Sequence, residues 1–339
     1  MAWPTDLTQL MKRISTPAEE TFEGLEVLGD YLKTSLDAQD ATVKLYLKNL
    51  MGAGQIFWVN GIDGVGSNAN AGTKAAPFLT IKYALSQCVD NQNDIIFIED
   101  YWQPTGEDWP IVVNKNLVHI IGNAQRNLPY PAIVSDGNFA AFQLTSLGQY
   151  GSIENLTIGG GAAHGGIDWQ NEGQVDGFLI KNCWFGHQWF GTPISGILQP
   201  AAATRGGFGN RIEKCRFLGD LANCTGAITG NAIDMLGGVA SYDLEIVDCF
   251  FMGCAIAINL TKCHNSRIIN NNFACPDSVD GEAVSLLAAC LGNWVNNNYA
   301  GNGGDAAMTQ EPYRDVAATN KNHWGVNWTT NAVDLPKQT

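Results

Sequence analysis

One short pattern recurs six times between Ile153 and Tyr299, and it leaves the chain very few folds. It is an apolar residue, two positions, a small or polar residue, one position, then an apolar or aromatic residue. The copies are Ile153-Leu156-Ile158, Ile180-Cys183-Phe185, Ile212-Cys215-Phe217, Ile246-Cys249-Phe251, Ile268-Asn271-Phe273 and Trp294-Asn297-Tyr299. Their starts lie 27, 32, 34, 22 and 26 residues apart. Apolar residues in a strand alternate with period two, so the three-residue step marks a bend between two short strands. A strand-bend-strand unit returning at such intervals is the signature of a solenoid.

A second column lies between these copies: Gly166-Ile167, Gly196-Ile197, Ala232-Ile233, Ala255-Ile256 and Ala283-Val284. From its β-branched member to the next first-column start there are 13, 15, 13, 12 and 10 residues. From the aromatic position to the second column there are 9, 12, 16, 5 and 11. Three short strands per coil with one elastic corner predict an all-β, parallel β-helix whose insertions leave at that corner. Cys183, Cys215 and Cys249 share one position in successive coils and read as stacked small hydrophobes. Asn182, Asn270 to Asn272 and Asn296 to Asn298 fall at the bend, where asparagine tolerates left-handed backbone and stacked amides bond along the axis. After Tyr299 the pattern weakens, and Trp324 and Trp328 read as covers for the far end.

Composition narrows the function. The 339 residues give room for one large domain and an appendage. A net charge of -14 argues against nucleic acid, whose phosphates require clustered Lys and Arg. No apolar run reaches about 18 residues, so no membrane insertion is expected. The first residues lack a basic start followed by an apolar core, so no signal peptide is expected. Nine cysteines without an export signal fit reduced thiols made in a cytoplasm rather than disulfides.

The chain divides into a helical attachment and trimerisation segment (1–55), a cap segment with a short helix (56–92), the β-helix (93–300) and an irregular tail (301–339). In the first of these a heptad runs through Phe22, Leu25, Gly29, Leu32, Leu36, Gln39, Val43, Tyr46 and Leu50. Seven of these nine seam positions are apolar, which predicts a coiled coil. The alternative is two amphipathic helices folded as a hairpin near Asp37–Asp40. Leu28 and Leu47 widen the apolar face and favour three strands over two. The trimerisation candidates are Phe22, Leu25, Leu32, Leu36, Val43, Tyr46 and Leu50.

Phe57-Trp58-Val59-Asn60 is followed by a Gly/Asn-rich loop, then by residues 77–88 with Phe78, Ile81, Leu85 and Cys88 on one helical face. This segment resembles the N-terminal cap of pectate-lyase-like right-handed β-helix proteins, in which a helix covers the open first coil. The resemblance extends over 57–100 by motif and 101–300 by repeat, and it concerns fold rather than activity. An uncovered end would expose core and unpaired strand edges.

No nucleophile elbow, His-Glu-x-x-His or phosphate-binding glycine loop is present. Cys249, Cys254, Cys263, His264 and Cys275 match no common zinc spacing, so neither a metal nor a cofactor is expected. The elastic-corner insertions are the better place for chemistry. They carry His164, His187, Trp189, Phe190 and Asp277 as glycan-binding candidates, and Asp220, Asp280 and Glu282 as weak catalytic candidates. Aromatics beside carboxylates hold sugars, and a suitably spaced carboxylate pair hydrolyses a glycosidic bond. The alternative is that these loops pack against other subunits or are simply solvated. A pectate-lyase type of site needs arginine and calcium-binding acids on a strand face, and Arg205, Arg211, Arg216 and Arg267 form no column with such acids, which counts against lyase activity.

A helical N-terminal segment, a capped right-handed β-helix and no catalytic signature resemble bacteriophage tailspikes, tail fibres and capsid-attached spikes. The resemblance implies a homotrimeric structural virion protein, bound to other virion proteins through its N-terminal segment, that displays the β-helix to host-surface polysaccharide. Its enzymatic alternative is a depolymerase, hydrolase or lyase, acting on that glycan.

Overall fold

The computed structural model describes residues 54–102, 104–123, 131–135, 138–169, 174–186, 193–203, 205–219, 228–275, 282–287, 289–302, 312–316, 321–329 and 337–338. The trimerisation seam from Phe22 to Leu50 lies outside them.

Each coil visits three sheets in turn. One full coil runs Arg211–Glu213 in the first sheet, Arg216–Leu218 in the second and Ile233–Met235 in the third, and returns to the first at Glu245–Val247. Among the described residues these sheets hold ten, eight and nine strands, every neighbour pair parallel. This is a pectate-lyase-like parallel β-helix. The bend between the first and second sheets is one left-handed residue: Asn155, Asn182, Lys214, Asp248, Asn270 and Asn297 all have φ between 52° and 60°. Asparagine and aspartate tolerate that region best, which accounts for five of the six.

The interior is built of columns. Ile153, Ile180, Ile212, Ile246 and Ile268 stack in register and are fully buried. Phe185, Phe217, Phe251 and Phe273 stack with ring centroids 4.7, 4.8 and 5.0 Å apart, near enough to parallel to share most of their faces. The small residue of the second column follows from that stack. A Cβ on Gly196 would lie 2.6 Å from the Phe217 ring.

Between these columns a side chain donates to a main-chain carbonyl of the previous coil. Cys183, Cys215 and Cys249 place Sγ 3.5, 3.6 and 3.7 Å from the carbonyls of Ile153, Ile180 and Ile212. Asn271, Asn298 and Asn327 continue the column, their amides donating to Ile246, Ile268 and Val295 at 3.0, 2.9 and 3.1 Å. Weak thiol donors thus give way to strong amide donors toward the C-terminal end. Burial pushes the Cys215 and Cys263 thiols well up and Cys290 to about 11, so these thiols are packing groups.

Three expectations are corrected by the register. Ile268 faces Val295, not Trp294, and Phe273 faces Ala300, not Tyr299. The inward copy is therefore Val295-Asn298-Ala300, and Trp294 and Tyr299 stand 49% and 44% exposed. A one-residue slip exchanges the two faces of a strand, and the larger apolar residues take the wrong one here. In the second column Ile258 rather than Ile256 pairs with Ile233 and Val284, so Ala257-Ile258 is the true copy. The ladder also continues past 300. Trp324 pairs with Val295, Thr329 with Ala300, and buried Asn327 extends the asparagine column, so Trp324-Asn327-Thr329 is a seventh copy. Trp328 points outward instead of covering the end.

The cap helix, α1 (Ile81–Gln87), packs Ile81, Ala84 and Leu85 onto the first coil. Thr80 caps it by accepting from the Tyr83 N–H at 3.2 Å. The buried Glu107 carboxylate accepts from the N–H groups of Ile81 and Lys82 at 2.7 and 3.2 Å and from the Tyr101 hydroxyl. The Gly/Asn-rich loop serves the same junction: Asn68 Oδ1 accepts from Leu79 and Thr80 N–H.

Candidate functional site

The elastic corner lies between the second and third sheets, so its insertions border the outward face of the third. That face is built one position after the β-branched column. Asp168, Leu198, Asp234, Asn259, Ser285 and Arg314 stand there on six successive rungs. Outward positions on a sheet are ordinarily solvated, yet Asp234, Asn259 and Ser285 are 8%, 7% and 0% exposed.

His164, on the corner itself, places Nδ1 2.8 Å from Asp168 Oδ2, and the Gly165 N–H donates to Oδ1 at 2.8 Å. Burial raises the Asp168 carboxyl above the usual carboxylate range, against the opposing pull of His164 and Gly165. Two rungs on, Asp234 accepts from the Asn259 amide at 2.8 Å, and burial raises its carboxyl too. Rungs of a sheet are about 4.8 Å apart, which puts the two aspartate backbones about 9.5 Å apart. Glu282 shares the face, its Oε1 accepting from Arg314 at 3.1 Å.

Four buried oxygens on this face have no hydrogen-bond partner in the protein: Ser195 Oγ, Asn259 Oδ1, Ser285 Oγ and Glu282 Oε2. A buried polar atom left unpaired costs about 1–3 kcal/mol, so a native fold keeps few of them. Four on one outward face, beside two carboxyls biased toward their protonated forms, mark it as the candidate site.

Of the corner candidates, His164 and Glu282 fall on this site. His187, Trp189, Phe190, Asp220, Asp277 and Asp280 lie outside the described residues. Asp168, Asp234, Asn259 and Ser285 were not read as a group from the sequence. Their signal was present, since each follows the second-column β-branched residue, and Asn259 joined the row once Ile258 replaced Ile256 in that column. Arginines and glutamates do alternate in one column, and it lies on the first sheet. There Arg211 and Arg267 flank Glu245, and Arg211 also reaches Glu213 at 2.8 Å. Among the described residues no group of three or more His, Cys, Asp or Glu is placed to hold a metal ion.

The fold has relatives among solved structures. A lacto-N-biosidase from Eubacterium ramulus is 13% identical with a TM-score of 0.47, the match covering 93% of this chain and 72% of that one. A pectate lyase, Pel9A, is 13% identical with a TM-score of 0.46, covering 84% and 80%. ORF18 of Geobacillus virus E2 is 14% identical with a TM-score of 0.41, covering 88% and 65%. No curated protein matches the sequence. A family model matches residues 64–339, and the chain belongs to that family, described as protein of unknown function (DUF1565).

Proposed function

We propose that this chain is a homotrimeric virion spike or fibre protein whose β-helix holds a host-surface glycan on the outward face of the third sheet. The supporting observation is the set of unpartnered buried oxygens at Ser195, Asn259, Glu282 and Ser285. A polyol is rich in hydroxyl donors and matches a face lined with Asp168, Asp234, Asn259 and Glu282 without adding charge. The apolar heptad from Phe22 to Leu50 supports the trimer and an attachment role for the N-terminal segment. The test is a screen of purified full-length protein on immobilised bacterial surface polysaccharides, with sedimentation to read the oligomer. Binding that disappears in Asp234→Asn and Ser285→Ala is expected. Undiminished binding in both variants removes the third sheet from the reading, and a monomer removes the spike.

The second reading is hydrolysis of the bound glycan. It is favoured by Asp168 and Asp234, two carboxylic acids on one face whose backbones stand two rungs, about 9.5 Å, apart, in the range where a glycosidase places an acid and a base. Burial raises both carboxyls, and under this reading one acts as the acid toward the leaving oxygen while the other takes a proton from water. Release of reducing ends by the protein, abolished in Asp168→Asn and in Asp234→Asn, is expected under this reading. A glycan bound but left at full length excludes it.

A further inference from the structure

The outward face of the second sheet differs from both others. Its central column carries Trp184, Arg216, Phe250, Asn272, Tyr299 and Trp328 on six successive rungs. No carboxylate stands in this column, although the chain has a net charge of -14. The first sheet, by contrast, spends its arginines on Glu213 and Glu245, and the third carries Asp168 and Asp234. Arg216 is exposed and lies over the Trp184 ring at 5.6 Å. Among the described residues it is in no ion pair, unlike Arg211, Arg267 and Arg314. The ring holds the planar guanidinium in place, and its edge N–H donors stay free for an anion.

Farther along the column the aromatic geometry changes. A Cβ on Gly301 would come within 2.5 Å of the Tyr299 ring, so the outer end of that ring reaches over the glycine two residues ahead on the same face. The residue nonetheless stands 44% exposed, which leaves much of its ring to solvent. Trp328 repeats an exposed aromatic on the next rung, and exposed Asn272 precedes Tyr299 with an amide that both donates and accepts.

We infer that this face is a second glycan-binding surface, for a strand that carries anionic groups and lies along the helix axis. Sugar rings stack on Tyr299 and Trp328, Asn272 bonds their hydroxyls, and Arg216 takes a carboxylate or sulfate. The rungs, about 4.8 Å apart, approximate the length one pyranose adds to a chain, so successive side chains meet successive sugars. Charge complementarity selects the anionic strand. On an acidic protein that repels polyanions elsewhere, this column presents an unpaired cation and no acid. The surface shares no residue with the third-sheet site, so either can fail alone.

The test titrates full-length protein with hyaluronate, dextran sulfate and uncharged dextran, followed by tryptophan fluorescence. An anionic probe is expected to bind, more weakly at high salt, and dextran is not. Arg216→Gln and Tyr299→Ala each weaken binding about tenfold, the loss of one charge-assisted or stacking contact, with the melting temperature unchanged. Asp234→Asn leaves it intact. Preference for hyaluronate identifies the carboxylate as the recognised group, and preference for dextran sulfate identifies the sulfate. The proposal is overturned if neither anionic probe binds, if dextran binds equally, if both second-sheet variants bind like the parent, or if Asp234→Asn alone abolishes binding.

Discussion

Asn298 Oδ1 accepts two hydrogen bonds from Asn271, from its main-chain N–H at 2.9 Å and from its side-chain amide at 3.1 Å. The Asn298 amide in turn donates to the Ile268 carbonyl and to Asn327 Oδ1. One buried side chain therefore ties three coils together. Asn298→Ala leaves a buried N–H and a buried carbonyl unpaired, and a loss of about 3 kcal/mol is expected in denaturant unfolding. Its exposed neighbour Asn297 supplies the left-handed turn, with φ of 56°, and an amide that donates to Asn270 Oδ1 at the solvent-exposed surface, so Asn297→Gly is expected within about 1 kcal/mol of the parent. Equal effects at the two positions would contradict the ladder.

Gly196 and Phe217 form the tightest joint between the aromatic stack and the third sheet. Gly196→Ala sets a methyl 2.6 Å from the Phe217 ring and 2.9 Å from the Ala232 carbonyl, and overpacking of that kind costs about 1–3 kcal/mol. Pairing it with Phe217→Leu opens space and is expected to recover part of the loss. A double variant no better than the sum of the two singles would deny the contact.

Asp234 links stability to function. Its folded-state pKa is raised above the unfolded value, so the folded state binds the proton more tightly. Stability then falls as pH rises through the interval between those two values and stays reduced at neutral pH. Asp234→Asn removes the buried charge, and a higher melting temperature at pH 7 is expected, with the gain vanishing near pH 3. Glycan binding or turnover at the third sheet is expected to fall in the same variant. A variant that is more stable and fully functional would show Asp234 to be structural only.

The first-sheet charges behave in the opposite sense. Hydrogen bonding from Arg211, with help from Lys214 and Lys181, lowers the Glu213 carboxyl from 4.5 to about 2. Its contribution is complete above the unfolded value and is lost as pH falls from about 4.5 toward 2. These groups stand at the surface, so about 1 kcal/mol is the scale to expect, smaller still in high salt. Glu213→Gln is expected to flatten the acid limb of the stability profile. An unchanged limb would assign it to other carboxylates.

The sequence by itself determined the coil. Period-two alternation broken by a three-residue step forces two strands and a bend, and the recurrence of Ile153, Ile180, Ile212, Ile246 and Ile268 makes those strands stack. The cap helix, the asparagine bend and the elastic corner were legible for the same reason, since each depends on neighbours within a few residues. The face of a strand with two apolar candidates was not. Trp294 and Val295 are equally plausible inward residues along the chain, and only the fit against Ile268 below chooses the smaller one. The site was decided at the same level. Asp168, Asp234, Asn259 and Ser285 come from four coils and share only the position after a β-branched residue, which nothing local marks as a site; parallel pairing brings them onto one face, and the burial there comes from the fold.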